Sequence, residues 1–378
     1  MSLKCYKYRI YPTKNQRIRL NSILDECRWL YNYFLEQRRD AWDKEKKSLS
    51  HYDQMNLLPG MKKQHTSLTY VYAQTLQEVA TRLDLAFQAF FRRCKAGETP
   101  GYPRFKSADR YNSFTFPQTD CGFMLTCNHK IKLSKVGCIK IKLHRKPPAI
   151  IKTCTVKRMS TGKWFVFLVG EVEPAVPPIS TSTVAIDIGI KTFATMSDSS
   201  KIENPKFFKQ SEEKLACAQR KLAKQKVGTE KRARAKLAAA RVYEKMKNQR
   251  HDFAHQHSRA LVNKYSTIFI ENIETNKFIN PGQLRVFNRA QRDVAWSQFF
   301  TFLLYKAEDA GRVVVKVNPA YTSQDCSSCH TRKLMPLEQR VYHCDVCGLE
   351  LDRDYNAALN ILRLGTQSLA SSLNNARA

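Results

Sequence analysis

Near the amino terminus apolar and basic residues alternate, Tyr6, Tyr8 and Ile10 against Lys7 and Arg9, as far as Pro12. A period of two marks a strand with one buried face, so this run predicts a first strand with a basic outer face. The period then lengthens. Leu20, Leu24, Cys27, Leu30, Tyr31 and Phe34 recur at helical spacing, as do Leu76, Val79, Leu83, Ala86, Phe87, Phe90 and Phe91, which predicts a helical region. Between these runs residues 48–63 are polar and broken by Pro59-Gly60, the pattern of a loop or a short helical turn. From Phe114 the period returns to two: Ile139, Ile141 and Leu143 alternate with Lys140, Lys142 and His144, and Trp164 to Val169 follows a Ser160-Thr161-Gly162 turn. This predicts an antiparallel sheet, a small barrel that the first strand joins, with the N-terminal helices as an insertion.

Residues 174–183, rich in Pro, Ser and Thr, have linker composition and divide the chain. Beyond them the pattern changes class. Val184 to Ile190 and Thr192 to Met196 read as strands, residues 206–264 as a long helical tract, Thr267 to Ile270 as a strand, Ala290 to Ala310 as a helix and Val313 to Val317 as a strand. Strands and helices in alternation predict an α/β unit. Two of its apolar runs carry a carboxylate: Asp187 interrupts Val184-Ala185-Ile186-Asp187-Ile188-Gly189-Ile190, and Glu271 ends Ile268-Phe269-Ile270-Glu271. An ionised carboxylate in a buried strand is costly unless positive charge meets it, and hard oxygen ligands on separate elements suit Mg²⁺. A third, Asp354, stands where Tyr355-Asn356-Ala357-Ala358 starts a helix; it is either a ligand or the helix N-cap, with Asp352 competing for either role. Asp198 and Glu274 are the competitors of Asp187 and Glu271.

Charge narrows the class of partner. The 378 residues hold 64 Lys and Arg against 33 Asp and Glu, a formal charge of +31, which favours a polyanion. Nucleic acid is the expected partner, contacted through the basic tract that includes Arg232 and Arg234, and through the turn-rich Thr99 to Lys106, where Arg104 and Lys106 interleave with rings. No window is apolar and long enough to span a bilayer, and Met1-Ser2-Leu3-Lys4-Cys5-Tyr6 lacks a signal-peptide apolar stretch, so a cytoplasmic or nucleoid-associated protein is expected. Of twelve cysteines, Cys5, Cys27, Cys94, Cys121, Cys127, Cys138, Cys154 and Cys217 have no ligand spacing and read as small buried hydrophobes. The other four form two knuckles, Cys326-x-x-Cys329 and Cys344-x-x-Cys347-Gly348, separated by fourteen residues. Four thiolates so spaced suit a closed, structural tetrahedral Zn²⁺ site, with redox dithiols as the alternative. His251, His255 and His257 share a helix, but no Glu follows His251, so a metalloprotease motif is absent and structural or RNA-facing histidines are expected.

Taken in order, Ile186-Asp187-Ile188-Gly189-Ile190-Lys191, Ile270-Glu271-Asn272-Ile273, the two knuckles and Asp352-Arg353-Asp354-x-Asn356-Ala357-Ala358-x-Asn360-Ile361 resemble TnpB, the OrfB-type protein of bacterial insertion sequences related to type V CRISPR nucleases. Tyr8-Arg9-Ile10-Tyr11-Pro12-Thr13, Tyr31-Asn32-Tyr33-Phe34 and Gly101-Tyr102-Pro103-Arg104-Phe105-Lys106 extend the resemblance over nearly the whole chain. It implies a multidomain α+β and α/β protein. A wedge β-barrel (1–13 and 98–173) would carry an inserted helical recognition lobe (14–97). After the linker would come a RuvC-like RNase H nuclease domain (184–317 and 349–378, with 206–264 as its basic helical segment) and an inserted zinc ribbon (318–348). It also implies that Asp187, Glu271 and Asp354 form a two-metal Mg²⁺ site that hydrolyses double-stranded DNA under guidance of an RNA from the transposon end, next to a short motif. Gln77 matches a polar position of the recognition lobe and Tyr52 is the expected second contact to that motif; the alternatives are a solvated Gln and a half-buried Tyr. The sequence leaves the oligomeric state open, with a monomer favoured. The alternatives are an RNA-guided repressor that does not cleave and a DNA transposase on the same scaffold. One departure stands out: His330 occupies the position where Gly commonly follows the second cysteine.

Overall fold

A computed structural model describes residues 2–126, 128–173, 181–273, 291, 293–336 and 338–375. Its contacts separate two units, Met1–Glu173 and Pro174–Ala378. Cys127, Glu274, most of the expected linker and the start of the helix expected from Ala290 lie outside the described residues.

In the first unit β1 (Ser2–Tyr11) is followed by α1 (Lys14–Glu45), α2 (His51–Gln64), a 3₁₀ turn and α3 (Ala73–Lys95) before any further strand. The sheet then continues through β2 (Ser113–Phe116), β3 (Phe123–Thr126), β4 (Lys130–Leu133), β5 (Gly137–Lys142), β6 (Ile150–Arg158) and β7 (Trp164–Val172). The strand order is β2-β6-β7-β1-β5-β4-β3. β1 pairs antiparallel with β7 from Ser2 opposite Val172 to Ile10 opposite Trp164, so the helices interrupt a sheet that closes around them in sequence. Its end strands β2 and β3 are not paired with each other among the described residues, and the expected small barrel stops short of full closure. Tyr8 and Ile10 are buried as their alternation requires.

Two expectations fail here. Residues 51–64 form a helix of 14 residues, longer than the loop or short helical turn expected. Ser50 and Asp53 close a capping box, Ser50 N donating to Asp53 Oδ2 at 2.8 Å and Asp53 N to Ser50 Oγ at 3.2 Å. The buried stripe is Gln54, Leu58 and Met61, and it was hidden because its first member is polar. Gln54 is satisfied in the core by Arg38 Nε, which donates to its Oε1 at 2.9 Å, and by Phe34 O, which accepts from its Nε2 at 2.9 Å. The cysteines are the second failure. Cys27 and Cys154 are buried, but Cys5, Cys94, Cys121, Cys138 and Cys217 are exposed. Cys5 and Cys138 occupy the strand parity opposite to the buried Tyr8 and Ile139, and so point outward.

The second unit contains β8 (Thr183–Ile188), β9 (Thr192–Met196), β10 (Lys201–Glu203), α4 (Phe207–Ala223), α5 (Glu230–Lys264), β11 (Thr267–Glu271), α6 (Trp296–Asp309), β12 (Val313–Val317), β13 (Val341–His343), β14 (Glu350–Asp352) and α7 (Arg353–Asn375). The sheet order is β10-β9-β8-β11-β12, with β8, β11 and β12 parallel and β9 and β10 antiparallel. The unit is mixed α/β. The basic tract is two helices, because Thr229 caps α5 after Gly228 turns the chain at φ 87°. Among the described residues no helix is long and apolar enough to cross a membrane.

Strand parity decides what each face holds. Val184, Ile186, Ile268 and Ile270 pack with residues of α5 and α6, whereas Ala185 and Phe269 pack with Ile361 of α7. Helix α7 reaches the sheet closely at Gly365, where a methyl group would overlap the Phe269 ring. Gly365→Ala is therefore expected to destabilise this unit by about 1–3 kcal/mol despite alanine's higher helix propensity, measurable as a lowered midpoint in urea.

Candidate active site

Asp187 and Glu271 continue the parity of Ala185 and Phe269, and so lie on the side of the sheet that α7 covers. The β8–β11 register ends with Ile186 opposite Ile270, which brings the next residues of the two strands, the carboxylates, side by side. Asp354 enters from the first turn of α7, on the face that also buries Ala358 and Ile361. The three carboxylates line one cleft of about 1080 Å³, whose walls also carry Lys191, Lys206, Arg340 and Arg353. Gly189 lets the β8 end pass close to Asp354: a Cβ there would meet Thr192 O at 2.9 Å and approach Asp354 Oδ2 at 3.9 Å.

Electrostatics fit a cation-seeking site. Burial, then the negative charges of Glu271 and Asp354, hold the Asp187 carboxyl well above the usual carboxylate range. Burial likewise raises that of Glu271, which is 9% exposed. Thr322 Oγ1 donates to Glu271 Oε1 at 2.7 Å and partly offsets that rise. A divalent ion with oxygen preference matches this donor set, since it replaces the protons that mutual repulsion otherwise retains.

The competing acids are engaged elsewhere. Asp352 is the helix cap: its Oδ1 accepts from Asp354 N at 2.9 Å and Tyr355 N at 3.2 Å, and its Oδ2 pairs with Lys201 Nζ at 2.9 Å. That leaves the Asp354 side chain to the cleft. Asp198 accepts from Ser200, Tyr265 and Lys264, which hold its carboxyl below the usual range against burial.

The four knuckle cysteines also converge. The Sγ atoms of Cys326, Cys329, Cys344 and Cys347 lie within 4.8 Å of one another, Cys326 and Cys347 at 3.6 Å and Cys329 and Cys344 at 3.4 Å. Tetrahedral thiolates bound at the usual zinc–sulfur length would stand about 3.8 Å apart, so the set fits Zn²⁺. The hydroxyl and amide of Thr331 lower the Cys329 thiol, while burial and the neighbouring knuckle sulfurs raise that of Cys347, so the cluster shares protons that a bound metal would displace. His330 has φ 65° and Gly348 φ 71°: each follows the last cysteine of its knuckle in the left-handed turn, and His330 adopts there what glycine adopts freely.

The expected nucleic-acid contacts are dispersed. In the first unit Tyr52 on α2 is 67% exposed, Gln77 on α3 is exposed, and Arg104 is exposed beside a half-buried Lys106. Asn32 fixes that segment, accepting from Lys106 N at 2.8 Å and donating to Lys106 O at 3.0 Å. In the second unit Arg234 pairs with Glu230 at 3.0 Å in solvent, while Arg232 Nη1 donates to Leu222 O at 3.2 Å and Gln225 O at 2.7 Å. Arg232 thus closes the C-terminal end of α4, a role that charge alone did not signal. His255 stacks on Phe302 at 4.0 Å and His251 meets the same ring edge-on at 5.0 Å, so these histidines pack α5 against α6. Cleft residues not singled out from the sequence are Thr322, Lys191, Lys206, Arg340 and Arg353; only Lys191 and Arg353 stand within the motifs that carry Asp187 and Asp354.

Comparison with known proteins agrees in outline. Residues 167–280 match a family described as "Probable transposase", 296–361 one described as "Cas12f1-like, TNB domain" and 1–47 one described as "Helix-turn-helix domain", although that last stretch holds one strand and one long helix. A protein of Streptomyces pristinaespiralis named "Putative RNA-guided DNA endonuclease" is 34% identical over 97% of this chain and 90% of its own length. InsQ of Escherichia coli, given the same name, is 29% identical over 97% and 94%. Among solved structures, Cas12f1 in complex with guide RNA and target DNA superimposes with a TM-score of 0.57 at 16% identity, over 92% of this chain and 82% of that one. At that identity the likeness is one of fold.

Proposed function

The chain belongs to the TnpB family of insertion-sequence proteins, and on that premise we propose that it is the RNA-guided DNA endonuclease of a transposable element, with its nuclease centre in the cleft of the second unit. The observation that carries this reading is the convergence of Asp187, Glu271 and Asp354, from two strands and a helix far apart in sequence, on that one cleft. In this reading the three carboxylates hold Mg²⁺, which when bound supplies the charge that activates water and steadies the leaving oxygen. The residues around them do the positioning. Lys191, Lys206, Arg340 and Arg353 receive the phosphates of a strand laid in the cleft, and the Gly189 turn leaves room for it beside Asp354. The second unit is then RuvC-like, with the four-cysteine module (318–348) as a zinc ribbon that Cys326, Cys329, Cys344 and Cys347 close, and the first unit is the wedge barrel with its helical lobe.

The partners are a guide RNA from the transposon end and a double-stranded target, the sequence of which is read by base pairing. Tyr52 and Gln77 would read the adjacent motif; Arg104, Lys106 and Arg234 would contact phosphates, with Arg232 contributing charge while it caps α4. The test compares two aspartates two residues apart. Asn caps a helix nearly as well as Asp but is a poor Mg²⁺ ligand. Asp354→Asn should lose cleavage with little change in melting temperature, and Asp352→Asn should keep it. The reverse order would place the third ligand at Asp352 and refute the assignment.

A further inference from the structure

Thr322 touches the cleft and the cysteine module at once. Its hydroxyl donates to Glu271 at 2.7 Å, while its carbonyl accepts from Asn360 Nδ2 at 3.0 Å. Asn360 Nδ2 also donates to Asp325 O at 2.6 Å, and Asn356 Nδ2 donates to the same carbonyl at 2.9 Å. Asn356 Oδ1 accepts from Ser327 N at 3.0 Å, on the residue next to Cys326. Both amides project from α7, the helix that begins with Asp354, and Thr322, Asn356 and Asn360 are all at most 4% exposed. The segment between Glu271's threonine partner and the first knuckle is therefore fastened to the helix that carries the third carboxylate. Asn360 Oδ1 has no hydrogen-bond partner among the described residues. A buried amide with one end unsatisfied is costly, so its place in the core is explained by the two carbonyls it holds.

We propose that Thr322 is a positioning residue for Glu271, and that Asn360 and Asn356 couple its placement to the four-cysteine module, so that the module's fold sets the divalent-metal affinity of the cleft. The inference rests on the reading of Asp187, Glu271 and Asp354 as metal ligands. A carboxylate held in one rotamer by a donated hydrogen bond loses less freedom on binding a cation, and partners of this kind change metal affinity by roughly 10–100-fold when removed. Thr322→Val keeps the shape and deletes the donor; Thr322→Ser keeps the donor.

Two quantities are measured: the Mg²⁺ concentration giving half-maximal target cleavage by the guide-loaded protein, and Mn²⁺ binding to the RNA-free full chain by electron paramagnetic resonance. Thr322→Val should raise both midpoints about tenfold at unchanged zinc content, and Thr322→Ser should restore them. Asn360→Leu should shift the midpoints in the same direction, and the double variant should move no further than the larger single shift, because both act through one carboxylate. Unmoved midpoints for Thr322→Val, a lowered maximal rate at an unchanged midpoint, or shifts that multiply in the double variant would each overturn the proposal. Asp187→Ala is the control that separates the two levels. If it binds Mn²⁺ as wild type does, the ligand reading itself fails; if it loses Mn²⁺ while Thr322→Val does not, only the positioning role fails.

Discussion

Asp187→Ala should reduce target cleavage by about a thousandfold or more while leaving guide and target binding within a few-fold of wild type. On the proposed reading the two effects separate because affinity would come from phosphate contacts and base pairing, whereas the chemistry would depend on the three carboxylates that line one cleft. A stability measurement gives the same residue a second signature. The raised Asp187 carboxyl means that the folded state binds its proton more tightly than the unfolded state does. Folding therefore loses stability as pH rises through the range above the ordinary aspartate value, unless a cation takes the proton's place. In EDTA near neutral pH the alanine variant should melt no lower than wild type, and Mg²⁺ should raise the melting temperature of wild type alone. A variant that cleaves normally, or one that melts far below wild type in EDTA, contradicts this account.

Cys344→Ser should remove most of the bound zinc and much of the soluble protein together. Cys344 is 2% exposed and packs with Tyr342, Cys326 and Met335, a cluster small enough that a metal held by the four thiolates would be needed to hold its fold. Damage should extend to the cleft, because β14 of the same hairpin supplies Asp352, the cap of α7. Zinc content by mass spectrometry of the purified chain, read beside cleavage of the residual soluble fraction, checks both halves. A soluble, fully folded and zinc-free variant would mean that the cysteines hold no structural metal.

Periodicity was enough for much of this architecture. The strands Thr192–Met196 and Val313–Val317 stand at the bounds their apolar runs suggest, and the alternation around Tyr8 and Ile139 gives the correct buried faces. What failed did so for physical reasons. Helix α2 escaped because a buried Gln54, satisfied by Arg38, opens its stripe where a pattern of apolar residues has no signal. The exposed cysteines escaped because composition does not report parity. At the cleft, residue type and order pointed to Asp187, Glu271 and Asp354, and the structure brings these three together; their chemical role stands as a proposal. The division of labour between Asp352 and Asp354 was not legible, since both are good caps and good ligands, and only the backbone amides that Asp352 accepts from decide it. Thr322 was invisible for the same reason: a threonine acquires meaning only from the carboxylate it faces.

The most direct test of the central claim uses the purified full chain loaded with its guide RNA and a plasmid carrying the matching sequence beside the adjacent motif. The account predicts cleavage of that plasmid in Mg²⁺, none of a plasmid with a mismatched sequence, none after EDTA, and none by the Asp187→Ala complex. Cleavage that is indifferent to the guide, or that survives either EDTA or the loss of Asp187, would contradict it.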